Sequence, residues 1–343
     1  MSLSSMQSKR LVLLAFSIAL LTGCSTLNES FKVVLPKEIE RNVLSGRPGI
    51  NGPVLVVKID DTTQAHPQIG VEDADVVYIK QVEGGITRLA AVFSSVIPTR
   101  IGPVRSARIS DIEIMSQYGR VAFAYSGAQD KLKPEIAQAN VENLGAQAQP
   151  PSIYTSDPTR NRPYAMVLRA DLLMQKIRDK GYRVDTAQSV GWKFGEIEST
   201  GVPISRVVVH WPAATYSAIW SSQDKRWHLR HKNEPNLSDT GRTLGPTTFV
   251  IQLVRITPSI YADKFGGVTP FSHTLGTGTG YILRDGKSFT ATWNRPSAQA
   301  GTTWTALDGL EIPFAPGQVW VALTDIEPDF TLLTQSTKAS PTK

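Results

Sequence analysis

The segment GPVLVVKID, Gly52 to Asp60, carries a β-branched run from Val54 to Ile59. A run of this kind is typical of a strand that is buried on both faces of a sheet. Similar runs follow at short intervals, and the sequence therefore predicts four strands in this half of the chain. The later three are DVVYIK (75–80), TRLAAVFSSV (87–96) and RVAFAYS (120–126).

Helical patterns lie between and after these strands. In SDIEIMSQY an apolar residue recurs every third position, and Ser110 and Glu113 have the spacing of a capping box. The segments KPEIAQANVENLG and LRADLLMQKIRDKG are two further predicted helices. Strands that alternate with helices predict an α/β domain, which we place at residues 48–182 with a mixed, largely parallel sheet.

The second half of the chain has a different pattern. Residues 183–205 show no clear period and are predicted to be a linker. Short strand-like runs occupy residues 206–326, with a hairpin signal at Asp285-Gly286, and they predict a mostly antiparallel β domain. All seven tryptophans lie in this half, where core packing is their expected role. Residues 327–343 are predicted to be a disordered tail.

The N-terminus has the features of a bacterial lipoprotein signal. Two basic residues precede a short apolar run that ends in Leu-Thr-Gly-Cys, so residues 1–23 are predicted to be removed. Cys24 would then carry the lipid, and residues 24–47 would form a tether. Cys24 is the only cysteine, which excludes a disulfide within the chain. The sequence predicts a lipid-anchored protein on the extracytoplasmic face of the cell membrane.

The charge balance limits the classes of partner. Removing residues 1–23 leaves 34 basic and 30 acidic residues, a net charge of +4. This mild surplus suits an anionic membrane surface or an anionic envelope polymer, and it is too small to indicate nucleic-acid binding. The predicted partners are the membrane, through Cys24, and an anionic envelope polymer, lipid or protein.

Several blocks resemble the YerB-like family of bacterial lipoproteins. They are PVLVVKIDD, HPQIGVEDADVVYIKQVEGGITRLAAVF and IGPVRSAR in the first half, and LGTGTGYILRDGK, TATW and APGQVWVAL in the second. The resemblance runs from about residue 53 to 324. It implies an extracytoplasmic lipoprotein in which an α/β domain precedes a β-rich one, and it implies no established activity. Where the family often has histidines, this chain has Tyr125 and the triplet Pro163-Tyr164-Ala165, which argues against a shared histidine chemistry.

The arginines are the main candidate for a binding site. Arg105 and Arg108 precede the helix that is expected to begin near Ser110, and Arg88 ends the block EGGITR. Guanidinium groups bind carboxylates and phosphates in bidentate fashion, and a helix N-terminus favours anions. We therefore predict an anion site at Arg88, Arg105, Arg108 and Ser110. The alternative is that these arginines pair internally with Glu83, Asp75 or Asp60.

The remaining patterns are weaker evidence for a binding site. Asp60 and Asp61 end the first strand, where they are minor candidates for a cation site, although a turn explains them better. The five histidines show no zinc-type spacing, so no metal site is predicted. GTGTG, residues 276–280, is followed by a strand rather than a helix and does not predict a nucleotide site. No cofactor is predicted.

Taken together, these patterns predict a binding or scaffolding protein of the cell envelope, with an anion site in the α/β domain. The alternative is an enzyme. A strand, EGGITR and an arginine pair beside a helix resemble in layout the LytR-CpsA-Psr phosphotransferases, which act on polyprenyl pyrophosphates. A long apolar tunnel beside the arginines would favour this enzyme, a polar pocket would favour binding, and a surface without a pocket would favour a scaffold.

Overall fold

In the computed structural model, residues 39–263 and 265–333 are described. The predicted signal peptide, Cys24 and most of the tether lie outside these residues. The described strands are β1 (Leu55–Asp60), β2 (Val76–Gln81), β3 (Thr87–Phe93), β4 (Arg100–Ile101), β5 (Val121–Ala124), β6 (Val141–Asn143), β7 (Tyr154–Ser156), β8 (Met166–Arg169), β9 (Val202–Trp211), β10 (Ala214–Ser221), β11 (Arg226–His231), β12 (Glu234–Pro235), β13 (Thr248–Leu253), β14 (Ile256–Ala262), β15 (Val268–Ser272), β16 (Gly276–Arg284), β17 (Lys287–Arg295), β18 (Thr303–Ala306), β19 (Val319–Thr324) and β20 (Asp329–Leu332). The described α-helices are α1 (Ile109–Met115), α2 (Lys133–Gln138) and α3 (Ala170–Lys180).

Most strands belong to one long hydrogen-bonded sheet. Its order is β12-β11-β10-β9-β17-β16-β13-β19-β2-β3-β1-β5-β6, with β18 and β20 attached to β17 and β9. In the N-terminal half, β1 pairs parallel to β5 and antiparallel to β3, whereas the second half is mostly antiparallel. The predicted fold class, a mixed sheet with helices followed by an antiparallel β region, is confirmed.

The two halves of the chain meet within this sheet. β19, from the C-terminal half, lies parallel to both β13 and β2. Residues 182–201 lie outside the strands and connect α3 to β9. The division into domains at residues 48–182 and 206–326 stays a prediction, and the hydrogen-bonded sheet is continuous between them.

β1 is central because both of its faces are covered. Alternate residues of a strand point to opposite faces. Leu55, Val57 and Ile59 pack in the same core cluster as Leu173 of α3, whereas Val56 packs in a second cluster with Ile114 of α1. All six residues of β1 are buried, which explains why its sequence is nearly continuously apolar rather than alternating.

Local signals in the second half are confirmed. Asp285 and Gly286 adopt positive φ values of 52° and 72° in the tight turn between β16 and β17, as a type I′ hairpin requires. Six of the tryptophans are buried, and Trp220 is half-buried. GTGTG lies within β16.

Three details of the sequence interpretation are wrong. The end of the predicted tether is packed into the fold, because Leu44 and Ser45 are fully buried and Ser45 donates to Asp75. The helix begins at Ile109, with Arg108 as its N-cap residue, because the Asp111 carboxylate accepts the Arg108 backbone N–H at 2.7 Å. The predicted tail also includes β20, which pairs with β9. Phe330 packs against the first core cluster, and this apolar contact gives the segment a reason to order. Residues 334–343 lie outside the described residues.

Within residues 39–263 and 265–333, no helix is long and apolar enough to span a membrane.

Candidate functional site

The candidate site lies at one end of the central strands, where one sheet face changes from apolar to charged. Val54 and Val56 share a face of β1 with Lys58 and Asp60. The registers place Arg88 of β3 opposite both Asp60 of β1 and Lys80 of β2. Three neighbouring strands therefore bring four buried charged residues to the same edge of one face.

Helix α1 supplies the carboxylate that covers this edge. One oxygen of Asp111 lies 3.1 Å from Lys58 Nζ and 2.9 Å from Lys80 Nζ, and all three side chains are fully buried. Burial lowers the pKa of Lys58 to about 7 despite the attraction of Asp111. Burial alone would raise the pKa of Asp111, but the two lysines hold it below its usual value. This arrangement anchors the helix to the sheet through charge as well as through packing.

Two of the three predicted arginines close internal ion pairs. Arg105 Nε donates to Asp60, and Arg108 Nε donates to Glu83 at 2.5 Å. Arg108 Nη1 also donates to the Ala107 carbonyl. In both arginines Nε makes the ion pair, and no hydrogen bond from Arg105 Nη1 or Nη2 is found within the described residues. The internal-pairing alternative is thus correct for Asp60 and Glu83, whereas Asp75 bonds to Ser45, Ser94 and Ser95 elsewhere.

Arg88 differs from the other two. It is about nine-tenths buried. Its recorded hydrogen bond, from Nη1 to the Ser106 carbonyl, is 3.5 Å long, and no carboxylate of the described chain lies within ion-pair distance. Burial, together with the nearby Arg108 and Arg105, lowers the pKa of Arg88 to about 10. The structure thus holds a desolvated guanidinium among like charges.

All three arginines line one cavity of about 500 Å³. Its floor is Arg88, Arg105 and Arg108. One side is formed by Gln129 and Leu132, and the ribbon of β14 and β15 contributes Tyr261, Asp263 and Thr269 from the other. Thr269 donates to Glu83, and Gln129 donates to the Ala262 carbonyl, so the ribbon is tied to the cavity walls.

Ser110 lies away from this cavity. It is fully buried, its hydroxyl donates to the Pro270 carbonyl at 3.4 Å, and it accepts the Ser272 N–H at 3.1 Å. Glu113 likewise accepts from Thr274. The two residues of the expected capping box therefore hold α1 against β15, and Ser110 has no contact with the arginine cavity.

Gly85 of the block EGGITR packs against the turn between β9 and β10. Gly85 has a φ of 71°, and a Cβ there would lie 2.7 Å from Pro212. Its carbonyl accepts the Ala213 N–H at 2.9 Å. The missing side chain of Gly85 therefore makes room for another segment of the protein's own backbone.

The positions at which the family often has histidine flank Arg105. A second cavity of about 470 Å³, lined by Arg105, Ser126 and Pro163, opens beside the first. The Arg105 guanidinium lies over the Tyr164 ring, 5.8 Å from its centroid, a cation–π geometry. Tyr125 is buried and donates to Asn143. Of these two tyrosines, Tyr164 contacts Arg105, whereas Tyr125 bonds to Asn143.

Asp60 and Asp61, the minor candidates for a cation site, separate at the end of β1. Asp60 pairs with Arg105, and it also accepts from the Thr62 backbone and hydroxyl. Asp61 accepts hydrogen bonds from Thr87 and Tyr216, and its Oδ1 lies 3.4 Å from His66 Nε2. His231 of β11 completes a group whose ligand atoms lie within 4.8 Å of one another. Sequence reasoning missed this group because His66 and His231 are far apart in the chain.

The comparisons with known proteins agree with this fold. Residues 44–183 match the family described as "Protein of unknown function (DUF3048) N-terminal domain", and residues 207–321 match its C-terminal domain. The chain is 22% identical over 278 residues to "Putative lipoprotein YerB" of Bacillus subtilis, which covers 81% of each chain. It is also similar to the crystal structure of YerB from Bacillus subtilis, with a TM-score of 0.72 and 19% identity, over 84% of this chain and 99% of that one. Because both domain descriptions match in order and together span most of the chain, the protein belongs to the DUF3048 family.

Proposed function

We propose that this protein binds an anionic group, a phosphate or a carboxylate, in the cavity above Arg88, as a lipid-anchored protein of the cell envelope. The observation that carries the proposal is the state of Arg88. A buried guanidinium without a carboxylate partner is costly, and the cost falls when an anion occupies the adjacent space. The cavity supplies that space.

The charge balance of the site supports the same conclusion. In the described structure five basic side chains meet three carboxylates at this edge of the sheet. They are Lys58, Lys80, Arg88, Arg105 and Arg108, and Asp60, Glu83 and Asp111. Asp263 stands at the rim, where its Oδ1 accepts the backbone N–H groups of Phe265 and Gly267. Because Asp60 and Glu83 each pair with one arginine of the floor, Arg88 is the positive charge that remains for an anion.

The geometry of the arginines favours recognition of a group with several oxygens. Because Arg105 and Arg108 use Nε for their ion pairs, both terminal amino groups of Arg105 and Nη2 of Arg108 can face a ligand, whereas Nη1 of Arg108 donates to the Ala107 carbonyl. Charge-assisted bonds of this kind are strong and directional. The helix α1 has only seven residues, so the site depends on the arginines and not on a helix dipole.

The cavity favours binding over the phosphotransferase alternative. A polyprenyl chain would need a long apolar tunnel, whereas this cavity has a charged floor and only a partly apolar wall, with Ile86, Ile109 and Leu132. A binding role also fits the mature chain's mild positive charge beside an anionic envelope.

The membrane location rests on the N-terminal signal and on the relative named a lipoprotein. Two acyl chains on Cys24 would give durable anchoring on the extracytoplasmic face. Labelling cells with a fatty-acid analogue tests this: the wild-type protein should carry label, and Cys24→Ser should not. Equal label on both proteins would contradict the lipid anchor.

Calorimetric titration of inorganic pyrophosphate into the full chain, purified in detergent, tests the anion site. We expect wild type to bind and Arg88→Met to bind at least about tenfold more weakly, because a charge-assisted contact is lost. Met keeps the volume and the apolar character of the stem.

Arg120→Met is the matched control. Arg120 also pairs with a carboxylate, Glu142, but it lies outside the cavity, so its replacement should leave pyrophosphate affinity unchanged. Failure of wild type to bind pyrophosphate, inorganic phosphate or a dicarboxylate, or equal losses in both variants, would overturn the proposal.

A further inference from the structure

At the same end of β1, the opposite face of the sheet holds a cluster of residues that is not part of the anion site. Asp61 follows β1, His66 lies five residues later, and His231 ends β11 in the other half of the chain. Their ligand atoms lie within 4.8 Å of one another. Two imidazoles and a carboxylate are a common ligand set for zinc when a fourth position stays open.

The hydrogen bonds around His66 determine which nitrogen carries a proton. Nδ1 lies 3.0 Å from Asn236 Oδ1, an acceptor, so Nδ1 is the protonated nitrogen. The amide orientation is supported from its other end, because Asn236 Nδ2 donates to the Tyr216 hydroxyl at 3.4 Å. In the neutral ring Nε2 therefore presents its lone pair.

That lone pair faces a carboxylate. His66 Nε2 is buried, makes no hydrogen bond within the described chain, and lies 3.4 Å from Asp61 Oδ1. Two lone pairs that face each other in a buried space repel unless a proton or a cation lies between them. Tyr216 and Gln68 donate to Asp61 Oδ1, and Thr87 donates to Oδ2, so both oxygens of this carboxylate are held in place. In metal sites, hydrogen bonds of this kind hold the ligating residues in the orientation that binds the metal.

The ring of His231 lies against the face of the His66 ring. The two rings stack with centroids 4.5 Å apart and planes 19° apart, and His231 packs edge-on against Tyr216. No hydrogen bond to either ring nitrogen of His231 is found in residues 39–263 and 265–333. A cavity of about 210 Å³, lined by Asp61, Thr63 and Lys232 among others, opens beside it and has room for a water ligand.

We propose that Asp61, His66 and His231 bind one divalent transition-metal ion, with Zn²⁺ as the preferred occupant and water in the open position. The donor set of two imidazole nitrogens and one carboxylate oxygen suits zinc better than calcium or magnesium, which prefer oxygen. The ion would join the loop after β1 to β11, and so connect the two halves of the chain.

Zinc titration of the full chain, stripped with a chelator and competed against a chromophoric chelator, tests this site. Wild type should bind one equivalent, and His66→Gln and His231→Gln should each lose most of the affinity. Asn236→Leu, which removes the partner of His66 Nδ1 and the amide that donates to Tyr216, should weaken binding by about ten- to a hundredfold. Co²⁺ in wild type should give the intense visible absorption of a four-coordinate ion.

His228→Gln is the matched control, because His228 is on the same strand, three residues away, and pairs with Asp224 on the outer face. It should bind zinc like wild type. Thermal unfolding of the metal-free variants shows whether each is folded. Added zinc should raise the midpoint of wild type and of His228→Gln, and it should not raise that of His66→Gln or His231→Gln. If wild type binds no zinc, or if His66→Gln and His231→Gln bind as well as wild type, the space holds a proton rather than a metal and the proposal is wrong.

Discussion

Asp60 and Asp61 are neighbours in sequence, yet they belong to different sites. Asp60 faces α1 and is paired with Arg105, in a cluster where positive charge is in excess. Asp61 faces the opposite core, where hydroxyl groups and imidazoles surround it. The alternation of side chains at a strand end separates identical residues into an arginine side and a histidine side. What each carboxylate does is decided by the partners that the strand register brings to it.

The two sides also differ in how the chain builds them. The floor of the arginine side comes from β1, β2, β3 and the segment before α1, all within the first third of the chain. The histidine side needs β11 and Asn236, more than 160 positions away from His66. Local assembly predicts that the first site tolerates changes in the second, and the following experiments test this independence.

The largest expected effect is on stability, from Asp111→Asn. The substitution leaves Lys58 and Lys80 buried without a counter-charge, and breaking a buried pair costs about 3–5 kcal/mol. Urea unfolding measures it. Asp171→Asn, which removes a partly exposed partner of Arg169, is the control and should change the free energy of unfolding by less than about 1 kcal/mol. Equal losses would mean that the buried charges contribute no more than surface ones.

The second effect is a dependence of stability on pH. Burial lowers the pKa of Lys58 to about 7, so between pH 7 and 10 the unfolded chain binds more protons than the folded one. The free energy of unfolding should therefore rise with pH across this window, by up to about 1.4 kcal/mol per unit. Below pH 7 the contribution of Lys58 to the free energy of unfolding should not change with pH.

Lys58→Met isolates that contribution, because the variant keeps the other titrating groups. Its stability should rise less steeply than that of wild type between pH 7 and 10, when both are measured by urea unfolding. Parallel curves for the two proteins would show that Lys58 stays charged in the folded state.

The smallest effect concerns the shape of the guanidinium. Arg105→Lys keeps the charge but cannot offer Nε and two terminal amino groups at once. Pyrophosphate affinity should fall about tenfold to a hundredfold. Arg100→Lys, an exposed arginine paired with Asp157, should have no effect. Undiminished affinity in Arg105→Lys would show that charge alone is recognised.

Sequence patterns predicted much of this architecture. The central strands carry continuous apolar runs, and the turn at Asp285-Gly286 has a local signature, so neither depends on distant partners. The sequence also predicts that Arg88, Arg105 and Arg108 converge, because Arg88 lies on a central strand and the other two lie in the segment just before the helix. What an anion does there stays a proposal.

The errors arose where distant contacts override local spacing. Ser110 and Glu113 have capping-box spacing, but their hydrogen bonds are made with Ser272 at the end of β15 and with Thr274 just after it, about 160 residues later. The histidine group had no local signal because its members come from separate halves. Phe330 orders part of the predicted tail for the same reason, through packing that no local pattern encodes.

The most direct test of the account is a paired titration of two ligands into three proteins. Pyrophosphate and Zn²⁺ are each titrated into wild type, Arg88→Met and His231→Gln. We expect Arg88→Met to lose pyrophosphate binding and keep zinc, and His231→Gln to lose zinc and keep pyrophosphate. If each variant loses both ligands equally, or if wild type binds neither, the end of the sheet does not carry two separate sites.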